Sequence, residues 1–337
     1  MEMRPFGRSG RELSVVGYGA WVTGADTASR AIDEDGLTRA IRAALDAGMT
    51  WVDTAEIYAG GRSEELVGRV VRQVRDRVFL VTKVGPTGVG SGMRPQDVSR
   101  AIRASLRRLG TDRVDLYLLH WFDPTVPLEE TWGSMTRVVQ EGLATCVGVS
   151  NFGRAQVERC LAVGPVHAVE NQLSLLHRDD ERLRAWLSGR DIAYLAYGAL
   201  AFGLLSGRAT PTSTLDPSDW RAGAFARYES NYYEELFAPG RLERHHAFAQ
   251  DLARLGKELG LPLPVMALRW VLEQPGVTAA VVGSANAEHI RANAVAGSVR
   301  LEREALARID DLVSRHVGEA EGRGEASWRM RSGSTRG

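Results

Sequence analysis

Lysine is almost missing from this chain. Of its 42 basic residues only Lys83 and Lys257 are lysine, and the other 40 are arginine. Cysteine is as scarce: Cys146 and Cys160 cannot build a disulfide framework and have no metal-ligand spacing, so both are expected to pack. Charge of one sign is absent too, because 42 acidic residues balance the basic ones, which argues against a nucleic-acid partner. No apolar run approaches the roughly 18 residues of a membrane span, and MEMRPFGRSG lacks the apolar stretch of a signal peptide. The expectation is a cytoplasmic protein with no membrane partner. What remains is an ordinary globular composition, 44% hydrophobic and 25% charged over 337 residues.

Short runs rich in Val, Ile and Leu recur along the chain, each followed by a stretch with helical spacing. Strands are expected near Val15–Gly19, Thr50–Asp53, Val78–Thr82, Val114–Leu119, Ala144–Val149, Val166–Glu170, Ile192–Ala196 and Thr278–Val282. The helices between them have readable ends. Pro95 suits a first helical position, Val98, Ile102, Leu106 and Leu109 form one stripe, and Gly110 stops it. Eight alternations predict one α/β domain over residues 1–316, a (β/α)8 TIM barrel with long loops on its C-terminal face. Phe6–Glu12 reads as the turn of an N-terminal β-hairpin, and residues 317–337, rich in Gly, Ser and Arg, as a flexible tail. Residues 198–240 have no clear strand pattern and carry Trp220, Tyr228, Tyr232 and Tyr233, which suggests a lid.

In a barrel of this kind the chemistry lies where the strands end. Those ends read Gly19-Ala20-Trp21, Asp53, Lys83, His120, Ser150-Asn151, Asn171-Gln172, Tyr197 and Gly283-Ser284. Each polar residue has a bland explanation alone, but seven polar ends converging on one face predict a site. Lys83 draws particular notice, since a lysine retained in an arginine-rich chain stands at the end of a buried run. Tyr58 follows Asp53 by five residues, and a phenol beside an ammonium is expected to have a lowered pKa. Asp53 can hold Lys83 charged and His120 can donate a hydrogen bond. That set suits proton transfer to a carbonyl oxygen while another group delivers hydride.

Four segments, DTAEIYAGGRSEELVG from Asp53 to Gly68, VTKVG from Val81 to Gly85, DLYLLHW from Asp115 to Trp121 and VGVSNF from Val147 to Phe152, resemble the aldo-keto reductases. The resemblance runs in order from about Arg4 to Val313 and is nearest the branch that includes potassium-channel β subunits. It implies a catalytic tetrad of Asp53, Tyr58, Lys83 and His120, with Tyr58 as proton donor. It implies a nicotinamide cofactor, NADPH/NADP rather than NADH. The carboxamide would meet Ser150, Asn151 and Gln172, with Tyr197 stacked on the ring and Gly19, Ala20 and Trp21 nearby. The pyrophosphate and adenosine end would meet Gly198, Leu200, Gly203, Leu205, Ser206 and Arg208, then Gly283, Ser284, Asn286, His289 and Asn293. A small carbonyl substrate would touch Trp21, Tyr58, His120, Trp121, Phe122 and Tyr228, and no metal is implied.

The chain departs from the family at two places. Tyr197-Gly198-Ala199-Leu200 replaces the usual Tyr-Ser-Pro-Leu, and Ala292 stands where an acidic adenine contact is common. The Gly-rich stretch Gly85–Gly92 lacks a P-loop ending. His245 and His246 are adjacent and point apart on a helix, so they are read as surface or lid residues. Two other readings stay open. One is a non-catalytic cofactor-binding regulatory subunit; the other is a metal-dependent hydrolase using Asp53 and His120, with Glu170 as the further ligand.

Overall fold

The computed structural model describes residues 1–23, 33–85, 93–207, 236–237 and 240–318. Two short strands, β1 (Met3–Pro5) and β2 (Glu12–Ser14), form an antiparallel hairpin. Eight parallel strands then close into a barrel: β3 (Val16–Gly19), β4 (Trp51–Asp53), β5 (Phe79–Val84), β6 (Val114–Leu119), β7 (Ala144–Ser150), β8 (Ala168–Gln172), β9 (Ala193–Tyr197) and β10 (Ala279–Val282), with β10 returning to β3. The α/β barrel expected from the alternating pattern is therefore the fold, hairpin included.

Strand alternation explains how the core divides. Side chains two apart along a strand share a face, so each strand sends one set inward and one outward. The outward set meets the helices in the large apolar cluster, which includes Tyr117, Val147, Val169 and Tyr194. The inward set forms a second cluster of Trp51, Phe79, Val81, Leu116, Leu118, Cys146, Ala168, Leu195 and Val281. Phe6 and Leu13 of the hairpin join it, with Phe6 edge-on to Phe79 at 5.0 Å, so the hairpin plugs the bottom. The Trp51 indole donates to the Ser14 carbonyl at 2.9 Å and ties plug to barrel.

Helix ends follow local chemistry. The Asp33 side chain accepts from the Gly36 amide at the start of helix Glu34–Asp46. Helix Pro95–Leu109 opens on its proline and closes at Gly110, whose φ of 64° is left-handed, as read from the residues. The interior also needs small residues. A Cβ at Gly17 would overlap the Trp51 indole, and one at Gly148 would overlap the Ala168 carbonyl. Gly17→Ala is therefore expected to destabilise the barrel by about 1–3 kcal/mol through overpacking. A denaturation midpoint equal to wild type would show that Trp51 can move aside. The 208–235 part of the expected lid, the residues 86–92 and those beyond 318 lie outside the described residues.

Candidate active site

The same two-residue alternation that fills the lower barrel with apolar groups carries polar ones into its top layer. Counting on from Trp51, Val81, Leu118, Cys146, Ala168 and Leu195, the inward positions become Asp53, Lys83, His120, Ser150, Glu170 and Gln172, and Tyr197. Asp53, Tyr58, Lys83 and His120 come together there, from β4, the turn Tyr58–Gly61, β5 and the residue after β6. The turn holding Tyr58 is tight: Ala59 has a φ of 49°, a left-handed value that strains a residue with a Cβ.

Lys83 is fully buried. Its Nζ donates to Asp53 Oδ2 and to the Thr54 carbonyl at 3.1 Å, and lies 3.4 Å from Glu170 Oε1. It also lies 5.5 Å from the centre of the Tyr58 ring. The Tyr58 ring meets the His120 ring edge-on at 5.7 Å, and Trp121 stacks on His120 at 3.6 Å. Burial alone disfavours the Lys83 ammonium, but Asp53, Glu170 and Tyr58 outweigh it and hold its pKa above the ordinary lysine range, so it stays charged. Burial, with the Lys83 charge as a second cause, pushes His120 well below the usual imidazole range and keeps it neutral.

Tyr58 corrects an expectation. Lys83 does pull its pKa down, but burial is the larger effect, and Asp53 and Glu170 oppose the ammonium. The net shift is upward, so the phenol keeps its proton in the resting site. Glu170 is the residue that strand reading underrated. It is buried beside Asp53 and Lys83, and the alternation that selects Gln172 as inward-facing selects Glu170 too. Among the described residues no three of His, Cys, Asp and Glu are arranged to hold a metal ion. The Lys83 ammonium stands between Asp53 and Glu170, where the hydrolase reading would have put a cation.

The other predicted residues divide into three groups. Around the tetrad, Asn151 has a φ of 63°, and its amide donates to the His120 carbonyl at 2.9 Å and to Ser150 Oγ at 3.2 Å. The Tyr197 hydroxyl donates to Asn151 Oδ1 at 2.5 Å, so Asn151 ties three strand ends together and its amide is spent within the protein. Gln172 Nε2 is buried with no acceptor among the described residues. An orphaned donor at the inward end of β8, in register with Tyr197, suits the oxygen of a carboxamide, and on that observation the site fits a nicotinamide. Trp21, in the turn Ala20–Thr23 after Gly19, meets Phe202 edge-on at 5.6 Å.

Farther out, Gly198, Leu200, Gly203, Leu205 and Ser206 form a run of turns after β9 in which Ala201 and Phe202 are left-handed. Beyond Gly283, Asn286 caps helix Ala287–Ala294 by accepting from the Glu288 amide. Ser284 Oγ lies 3.2 Å from His289 Nδ1, and Asn293 is buried on that helix. Arg291 pairs with Glu288 on the outer surface.

The third group is misplaced or outside. Phe122 packs edge-on to Phe152 at 6.3 Å with the Arg159 guanidinium 6.0 Å from its ring, because the strand that would aim it inward has ended. Asn171 faces away from the mouth, donating to the Phe152 carbonyl and to Asp180. His245 and His246, read as surface or lid residues, are buried in helix Arg241–Leu259, and His245 Nδ1 donates at 2.9 Å to the carbonyl of Leu236, which belongs to the 198–240 segment. Arg208 and Tyr228 lie outside the described residues.

A parallel barrel with buried ionisable groups at the C-terminal ends of its strands defines the class, that of barrel enzymes with a mouth-centred site. The sequence model of the Aldo/keto reductase family matches residues 15–314, and the chain belongs to that family of oxidoreductases. It is similar to the aldo-keto reductase YhdN of Bacillus subtilis, 34% identical over 292 residues that cover 84% of this chain and 85% of that protein. A probable voltage-gated potassium channel subunit beta of Oryza sativa is 29% identical, with 87% of this chain and 90% of that protein covered. An aldo/keto reductase of Klebsiella pneumoniae, solved with NADP and acetate, has a TM-score of 0.73 and 29% identity, covering 97% of this chain and 99% of that one. No helix among the described residues is long and apolar enough to cross a membrane.

Proposed function

We propose that this protein reduces an aldehyde or ketone to an alcohol with NADPH, using Tyr58 as the proton donor. The observation that carries the reading is the buried Asp53–Lys83 pair set against Tyr58 and a neutral His120 in one polar layer. The nicotinamide, when bound, supplies the hydride. Tyr58 arrives protonated and gives its phenolic proton to the carbonyl oxygen. Lys83, held charged by Asp53, stabilises the phenolate left behind, and His120 donates a hydrogen bond that orients the carbonyl. Ser150 and Gln172 hold the carboxamide, while Asn151 fixes Tyr197 and the end of β6. Trp21 and Trp121 line the substrate side.

The same reading assigns the cofactor's remote end to the turns after β9 and to the Gly283–Asn293 segment. Ser284, Asn286 and His289 would meet the 2′-phosphate, in the absence of an inward Arg or Lys among the described residues there. The Klebsiella structure with NADP supports the choice of nucleotide. Fluorescence titration of the purified protein should show tighter binding of NADPH than of NADH. A panel of aldehydes and ketones should then produce NADPH oxidation. Equal affinity for the two nucleotides would remove the NADPH preference. Tight NADPH binding with no turnover on any carbonyl would instead favour a non-catalytic cofactor-binding regulatory subunit; the rice relative is named a probable channel subunit beta.

A further inference from the structure

Glu170 has no part in the proton transfer just described, yet it is buried at the centre of the site. Its Oε1 faces Lys83 Nζ at 3.4 Å, and among the described residues no N–H or O–H reaches its buried Oε2. Its carboxyl and that of Asp53 share the one Lys83 ammonium, and both are buried. One ammonium balances only one of two buried carboxylates, so the other is favoured in its neutral form. Asp53 is the carboxylate on which Lys83 Nζ makes its direct hydrogen bond, so Glu170 is the one left to be neutral. The charge count agrees. With both acids ionised the buried trio of Lys83, Asp53 and Glu170 would carry a net negative charge, which burial disfavours. Burial and the Asp53 charge, partly offset by Lys83, push the Glu170 carboxyl up to about 8.

We propose that Glu170 is a positioning residue that holds a proton in the resting site and whose ionisation, acting through Asp53 and Lys83, sets the charge of the barrel mouth and so biases it between oxidised and reduced nicotinamide. The inference rests on the reductase reading above. Among the described residues the other titratable and charged groups of this mouth are Asp53 from β4, Glu56 and Tyr58 from the loop after it, Lys83 from β5, His120 beyond β6 and Tyr197 from β9. Burial raises the Glu56 carboxyl too, but it accepts from the Gly85 amide and makes no ion pair with Lys83. His120 is held neutral, Tyr58 keeps its proton and Lys83 stays charged. Burial raises Asp53 as well, but Asp53 carries the direct Lys83 hydrogen bond, so Glu170 is the carboxyl whose charge changes near neutral pH. The oxidised ring is cationic and the reduced ring is not. An ionised Glu170 therefore favours NADP+ over NADPH, and binding of NADP+ expels the Glu170 proton. At lower pH the protonated residue leaves the reduced cofactor favoured, the direction carbonyl reduction needs.

The test is the ratio of dissociation constants for NADP+ and NADPH, measured by calorimetry across the neutral to alkaline range. The ratio cancels the titration of the 2′-phosphate, which both nucleotides share. In the wild-type protein NADP+ should gain on NADPH by about five-fold or more as pH rises through the transition. Glu170→Gln keeps the shape and removes the titration, so its ratio should be flat while NADPH still binds. Infrared difference spectra of the wild-type free protein provide a second readout: a carboxylic-acid carbonyl band should be lost on raising the pH. Its absence at neutral pH would overturn the inference even if Glu170→Gln failed to fold. A flat wild-type ratio, or an unchanged slope in Glu170→Gln, would overturn this inference alone. Failure of both nucleotides to bind the wild-type protein would overturn the reductase reading and this inference with it.

Discussion

Tyr58→Phe should lower kcat by roughly 10²- to 10⁴-fold, the usual contribution of a positioned general acid. The substitution removes one oxygen from a buried ring and keeps the edge-on contact with His120. Fold and NADPH affinity should therefore stay near wild type, so the loss falls on kcat and not on binding. The phenol is the only protonated hydroxyl that this reading offers the substrate, since Tyr197 donates to Asn151. Steady-state turnover on a reducible aldehyde, with fluorescence titration of NADPH alongside, checks both halves. Turnover equal to wild type would end Tyr58's role as donor. Loss of nucleotide binding in step with turnover would make it a structural residue.

Lys83→Arg is the second large effect, and arginine is the exchange this chain has accepted at nearly every other basic position. Lys83 has no exposed surface, and its single point charge meets Asp53, Glu170 and the Thr54 carbonyl while standing near the Tyr58 ring. A guanidinium is larger and planar and cannot meet three partners from that position. Overpacking should cost about 1–3 kcal/mol of stability, and kcat should fall by at least about 10²-fold because the charge no longer faces the phenol. Lys83→Met separates charge from bulk. It leaves the Asp53 carboxylate without its cation, which should cost roughly 3–5 kcal/mol unless Asp53 takes up a proton. Stability of that variant should recover as pH falls, because protonating Asp53 removes the unpaired charge. A fully active Lys83→Arg enzyme would return the lysine to the status of a chance survivor.

Much of the site was legible because a barrel strand obeys a two-residue rule. Once the run ending at Lys83 is read as a strand, the inward face follows, and Asp53, His120, Ser150 and Gln172 fall on it by the same count. Where that rule stops, so did the reading. Alternation still carries His120, the residue after β6, but Phe122 lies three residues past the end of that strand, where it no longer aims a side chain, and it packs on Phe152. Asn171 sits at a strand end but on the outward face, so a polar residue counted toward the site clamps the turn after the neighbouring strand β7 instead. His245 and His246 were read from adjacency alone, which says nothing about whether a helix side is covered.

Periodicity and strand-end chemistry determined the α/β barrel, its hairpin plug, the order of its strands and the acid, ammonium, phenol and imidazole of its mouth, because these depend on short-range spacing that a linear chain displays directly. The tertiary structure alone decided their energetics. Burial at the centre of a closed barrel reversed the expected shift of Tyr58, kept His120 neutral and raised Glu170, and none of these follows from sequence neighbours. It also placed two carboxyls on one lysine, 30 and 87 residues away from it along the chain. Desolvation depends on what surrounds a group in three dimensions, and that is settled only when the last strand closes against the first.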